Sequence, residues 1–78
     1  MNKMRRRTIK SLVEQMEAIK SEFENLFDEE QDAYYNMPES LQYSERGETM
    51  SDGIEVLSDT YDTIGDIIDT LYDNFNLY

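Results

Sequence analysis

The chain contains no cysteine and no histidine. The first absence excludes disulfides and thiolate metal sites. The second removes the commonest general base and the commonest metal ligand. Without either there is no conventional nucleophile–base pair, and neither a Gly-rich phosphate loop nor a Walker sequence occurs. A Glu-x-x-His pair of the di-metal bundle type and an Asp-x-Asp-x-Asp-Gly calcium loop are also missing. Carboxylates are plentiful, but an acid–base pair needs environments that push two pKa values apart, and acids on one wet helix face share an environment. The sequence therefore reads as a non-enzyme with no catalytic residues, no metal and no cofactor. Aliphatic stretches are pairs such as Leu12-Val13 and Ile67-Ile68, and no apolar run of signal-peptide length follows the basic start. The expectation is a cytoplasmic protein with no membrane contact.

Charge is the next asymmetry. Residues 1–20 carry six basic and two acidic side chains, a net of +4, and residues 21–78 carry one basic and sixteen acidic, a net of −15. No Lys or Arg follows Arg46. Such a chain is repelled by nucleic acid and anionic lipid and attracted to basic protein surfaces.

What is present is helical periodicity. Ile9, Leu12, Met16, Ile19, Phe23, Leu26 and Ala33 hold the a and d positions of one heptad register, interrupted only by Glu30. Val13 and Phe27 widen that stripe to bundle breadth. The pattern predicts a first helix over about residues 5–35. Asn36-Met37-Pro38 ends it, with Asn36 suited to a left-handed cap and Pro38 to the first position of a short turn running to Tyr43. Ser44 is the N-cap candidate for a second helix over about residues 45–76. Its seam is Met50, Ile54, Leu57, Tyr61, Ile64, Ile68, Leu71, Phe75 and Tyr78. Gly65, Ser51 and Ser58 share a column beside this seam and Gly53 lies on its other flank. Small residues there let another helix come close.

Two long helices and a short link make an all-α antiparallel hairpin. Alone, it would leave half of each stripe wet, with Phe23, Phe27, Tyr61 and Phe75 among the exposed. Pairing into a homodimeric four-helix bundle would cover them.

Folding does not account for a second pattern in the same helix. Glu48, Asp52, Glu55, Asp59, Asp62, Asp66, Asp69 and Asp73 recur at alternating spacings of four and three. Each of the seven successive pairs costs roughly 0.2–0.5 kcal/mol, about 1.5–3.5 kcal/mol together at low salt. Alternating Glu and Lys would give solubility without that cost. One account is a solvated face; the other is imitation of a phosphate backbone. Charges at this spacing fall about 5 Å apart along the axis, against one per about 1.7 Å in duplex DNA. One helix is too sparse, and two come nearer.

The basic cluster Lys3, Arg5, Arg6, Arg7 and Lys10 has several readings. It is a frayed tail, a partner for another chain's acidic helix, a phosphate site, or most economically internal compensation of Asp69 and Asp73 at the same end of the hairpin. Around the link, Tyr34, Tyr35, Met37, Leu41 and Tyr43 sit among Glu29, Glu30, Glu39, Glu45 and Arg46. They either plug the end of the bundle or present a contact surface, since Tyr, Met and Arg are common interface anchors.

The stretch Asn36, Pro38, Glu39, Ser40, Leu41, Gln42, Ser44, Glu45 and Arg46 resembles a core motif, Asn-x-Pro-Glu-Ser/Asn-Leu-Gln-x-Ser-Glu-Arg/Lys. Uncharacterised small acidic proteins of bacteriophages, plasmids and conjugative elements carry it, and the acidic heptads that follow are similar too. The resemblance implies a mobile-element origin, a setting in which small acidic proteins often inhibit host defence nucleases.

The functional expectation is a dimer that binds and inhibits a basic host protein, a nuclease or DNA-binding protein, by DNA mimicry and without touching nucleic acid itself. Asp52, Glu55, Asp59, Asp62, Asp66, Asp69 and Asp73 would carry the contact, with Tyr34, Tyr35, Glu39 and Arg46 at the tip. The alternatives are an oligomerisation scaffold with no inhibitory role, or a helical oligomer that sequesters a small phosphorylated ligand through Arg5, Arg6 and Arg7.

Overall fold

The computed structural model describes all residues, Met1–Tyr78. It contains three helices and no strand: α1 (Lys3–Tyr35), α2 (Glu39–Gln42) and α3 (Glu45–Phe75). α1 and α3 lie antiparallel and form a rod with extents of 58 × 15 × 15 Å. No helix is long and apolar enough to cross a membrane.

The boundaries follow from local hydrogen bonding. α1 starts two residues before the expected place because the Asn2 side chain caps it, accepting from the Arg5 amide at 2.8 Å. The basic cluster is thus helical and not a frayed tail. Asn36 ends α1 in a right-handed conformation (φ −85°, ψ −5°), not the left-handed one anticipated. Pro38 precedes α2 with extended backbone (ψ 144°) and does not occupy its first position. Its carbonyl accepts from the Leu41 and Gln42 amides, which closes the short turn. The Ser44 hydroxyl accepts from the Gly47 amide at 3.3 Å and caps α3 as expected. The left-handed residue lies at the far end, where Asn76 (φ 50°, ψ 58°) turns the chain out of α3. Leu77 then folds back, donating its amide to the Tyr72 carbonyl, and is buried. Tyr78, expected in the seam, lies beyond the helix and is exposed; Leu77 fills the core in its stead.

The rotation of the helices about their axes decides which residues face one another. The column Val13, Lys20, Phe27 and Tyr34 points at α3, and Val13 is fully buried. Its counterpart on α3 is Gly47, Ile54, Tyr61, Ile68 and Phe75, with Gly47 and Ile68 buried. Val13 and Phe27, expected at the edge of the stripe, are therefore central. Phe23, Phe27, Tyr61 and Phe75 are half-buried within the hairpin and not left out in solvent. The exposed apolar side chains of the long helices are instead Met4, Leu12, Ile19, Leu26 and Tyr35 on α1, and Val56 and Ile67 on α3. The reason is Lys20. Gly65 opposite it has no side chain, so the lysine stem lies over the glycine and this column can occupy the seam.

In an antiparallel pair the two helices wind in opposite senses when viewed down one axis. Equal rotational offsets from the seam therefore lead to the same side of the hairpin. By that geometry Ile9, Leu12, Met16, Ile19, Phe23 and Leu26 share one side with Leu57, Ile64, Ile67 and Leu71. The opposite side carries Glu17, Glu24 and Asp28 from α1 beside Ser58, Asp62, Asp69 and Tyr72 from α3. The hydroxyl of Tyr72 donates to Glu17 across the second side at 3.3 Å. The hairpin has one apolar face and one face that is acidic except at the open end, where Lys3, Arg7 and Lys10 share the columns of Glu17 and Glu14. Its own core is small, consisting of Val13, Ile68 and Leu77 with Ile9, Met16, Ile64, Leu71, Tyr72 and Phe75 packed around them.

Candidate partner-binding face

The acidic ladder emerges intact. Asp52, Glu55, Asp59, Asp62, Asp66, Asp69 and Asp73 are all on α3 and all exposed. The structure adds a second row that the sequence reading missed: Glu14, Glu17, Glu24, Asp28 and Asp32, exposed on the side of α1 that turns towards the ladder. Glu24 and Asp28 line an open groove of about 270 Å³ together with Phe27, Ser58, Tyr61 and Asp62. The signal was present in the near-heptad recurrence of Glu17, Glu24 and Gln31. It had no meaning until the direction of the seam was known.

The tip residues form a separate group. Arg46 and Asp73 are 27 positions apart on one helix, roughly 40 Å at 1.5 Å per residue. A partner would have to cover most of the rod to touch both. Tyr34 is half-buried, and its ring meets that of Tyr35 edge-on at 5.7 Å between centroids. Tyr35, Glu39 and Arg46 are exposed. Met37 is half-buried, whereas Leu41 and Tyr43 lie open, so the cluster plugs the end only in part.

The chain matches no family model, no curated protein and no solved structure.

Within the tip motif, several residues have a structural task. The Gln42 amide donates to the Tyr34 and Met37 carbonyls, 3.1 Å each, and so ties α2 to the end of α1. Ser44 donates its hydroxyl to the Leu41 carbonyl while capping α3. Gly47 is buried because the carbonyl oxygens of Leu41 and Gln42 occupy the place a Cβ would need. Glu39, Leu41 and Tyr43 are left facing outward with no such task assigned by these bonds.

At the open end of the hairpin Lys3, Arg6, Arg7 and Lys10 line a cleft of about 390 Å³ with Asn76, Leu77 and Tyr78. Arg5 stands apart, in the same column as Leu12, Ile19 and Leu26 on the apolar side. Arg6 and Arg7 thus share the cleft with the two lysines, and Arg5 does not line it. The basic residues gather about the C-terminal turn, and the Asp73 carboxylate accepts from the Tyr78 hydroxyl. That bond is the first cause of the raised Tyr78 pKa, followed by desolvation and the nearby Asp73 and Asp69 charges. Tyr72 is raised as well, first by desolvation and then by the Glu17 and Glu14 charges and the bond to Glu17.

Proposed function

We propose that the chain binds a basic, nucleic-acid-binding protein through the acidic face shared by α1 and α3, and inhibits it by occupying the groove meant for nucleic acid. The observation that carries this reading is the convergence of two exposed acidic rows, one from each helix, on one side of the rod. Packed helix axes lie about 8–10 Å apart; successive charges lie about 5 Å apart along the α3 row and roughly 5–10 Å apart along the α1 row, the widest gap falling between Glu17 and Glu24. From Glu14 to Asp32 the face is a two-railed track of negative charge, nearer to a nucleic-acid backbone than a single helix; Arg7 and Lys10 close it at the open end. The likeness of residues 36–46 to mobile-element proteins supports a host defence or regulatory protein as the target.

Capture of partners from the native host, followed by competition with duplex DNA, tests the reading. Displacement of DNA from a captured basic protein supports it. Simultaneous binding of chain and DNA contradicts it.

The apolar side favours a second reading, a scaffold whose acids only keep the assembly soluble. Reversing Asp59, Asp62 and Asp66 to Lys separates the two, since a scaffold would keep its activity and an inhibitor would lose it.

A further inference from the structure

We infer that the apolar side of the hairpin is closed by a second copy of the chain, related by a two-fold axis perpendicular to the rod, so that the tip of one copy meets the open end of the other. This rests on the apolar side alone and is independent of what the acidic face binds.

The exposed area is that of a chain lacking a partner. The chain exposes 5957 Å², whereas a compact protein of this mass exposes about 5,000 Å². The excess, roughly 1,000 Å², matches the ~800 Å² that each partner buries in a standard interface. The long side of the rod, 58 × 15 Å, has the same size. On the exposed α1 column Leu12 is 53%, Ile19 47% and Leu26 47% open.

Charge fixes the orientation. The outward stripe of α1 holds two charged members, Arg5 near its start and Glu30 near its end. In an antiparallel pair of α1 helices, a residue of one copy faces the residue of the other whose number completes a constant total. Setting Arg5 opposite Glu30 also sets Leu12 opposite Phe23. The same register places Met16 opposite Ile19, next to the axis. Every a position then meets a d position, and the two polar breaks in the stripe become an ion pair formed twice. The axis passes α1 two to three residues before Lys20, and Lys20 lies against Gly65, so on the antiparallel α3 it passes about as far beyond Gly65, beside Ile67. The acidic faces point away from each other, which keeps two chains of net charge −11 apart where they repel most. With the tips together, Arg5 would instead face the last turn of the other copy's α3, whose apolar side carries Leu71 and Asn74 and no acid.

The test uses two full-length variants, Arg5→Cys and Glu30→Cys, each carrying the chain's sole thiol. They are mixed and oxidised with diamide. The result expected is a disulfide between the two variants and little cross-linking of either alone. Cross-linking of Arg5→Cys with itself, or a monomer by sedimentation at all concentrations, overturns the inference. Charge reversal supplies a second readout that leaves the fold intact. Arg5→Glu should weaken the dimer about tenfold and Arg5→Glu/Glu30→Arg should restore it. Equal affinity of all three proteins contradicts the register.

Discussion

The Lys20 ammonium stands 4.5 Å from the centre of the Tyr61 ring, inside the seam between α1 and α3. Its last methylene and its nitrogen lie 3.2 Å from where a Cβ on Gly65 would begin. A cation in the seam joins the halves of the hairpin by its stem and its charge together, and it stands between Glu17 and Glu24 on its own helix. Lys20→Glu should lower stability by about 1–2 kcal/mol in urea melts, from the lost ring contact and two new like-charge neighbours. Lys20→Met keeps the stem and should change it by less than about 1 kcal/mol.

Two of the three glycines should respond with opposite signs. Around Gly53 nothing lies within 4 Å of an added Cβ, so Gly53→Ala should stabilise α3 by about 0.8–1 kcal/mol. At Gly47 the obstacle is the backbone of α2, which cannot move aside without breaking the tip. Gly47→Ala should cost about 1–3 kcal/mol. Thermal melts of the two variants check the pair, and equal shifts would contradict the close approach of α2 to α3.

The ladder should be a burden on the free protein. Asp62 has Asp59 and Asp66 as neighbours at helical spacing. Asp62→Lys removes two repulsions and adds two attractions, and should stabilise the hairpin by roughly 1–2 kcal/mol at low salt. The gain should shrink as salt is added. The same change should weaken binding to the basic partner, so stability and binding move apart.

Much of this architecture was legible in the residues. Heptad spacing located both long helices, Ser44 named its own cap, and Pro38 marked the link. What failed were choices that depend on the partner element. Whether Leu12 or Val13 faces α3 turns on Lys20 finding room over Gly65, and no pattern within one helix reveals that. Leu77 was overlooked because Tyr78 continued the heptad, while Asn76 breaks the helix before that register can be used. Asn2 could have been seen as a cap from its type and place. The ladder on α3 was plain. Its companion row on α1 was not, because Glu14, Glu17 and Glu24 acquire a common direction only when the seam is fixed.

Alkaline pH should loosen the open end. The pKa values of Tyr72 and Tyr78 are raised in the fold, so the native state holds these protons more tightly than the unfolded chain. Their contribution is present in full below about pH 10 and is lost as pH climbs through the raised values. Stability measured in urea should therefore fall on that alkaline limb, and Tyr72→Phe/Tyr78→Phe should fall less steeply there. An unchanged slope would show that the two hydroxyls are not the titrating groups.

The central claim is that the acidic face binds by charge. Its most direct measurement is the affinity of the chain for its captured basic partner as ionic strength rises from about 50 mM to about 200 mM. A steep, linear loss in log affinity against log salt is expected, with a smaller slope for Asp59→Lys/Asp62→Lys/Asp66→Lys. An affinity that stays flat across that range, or survives the reversal unchanged, would contradict it.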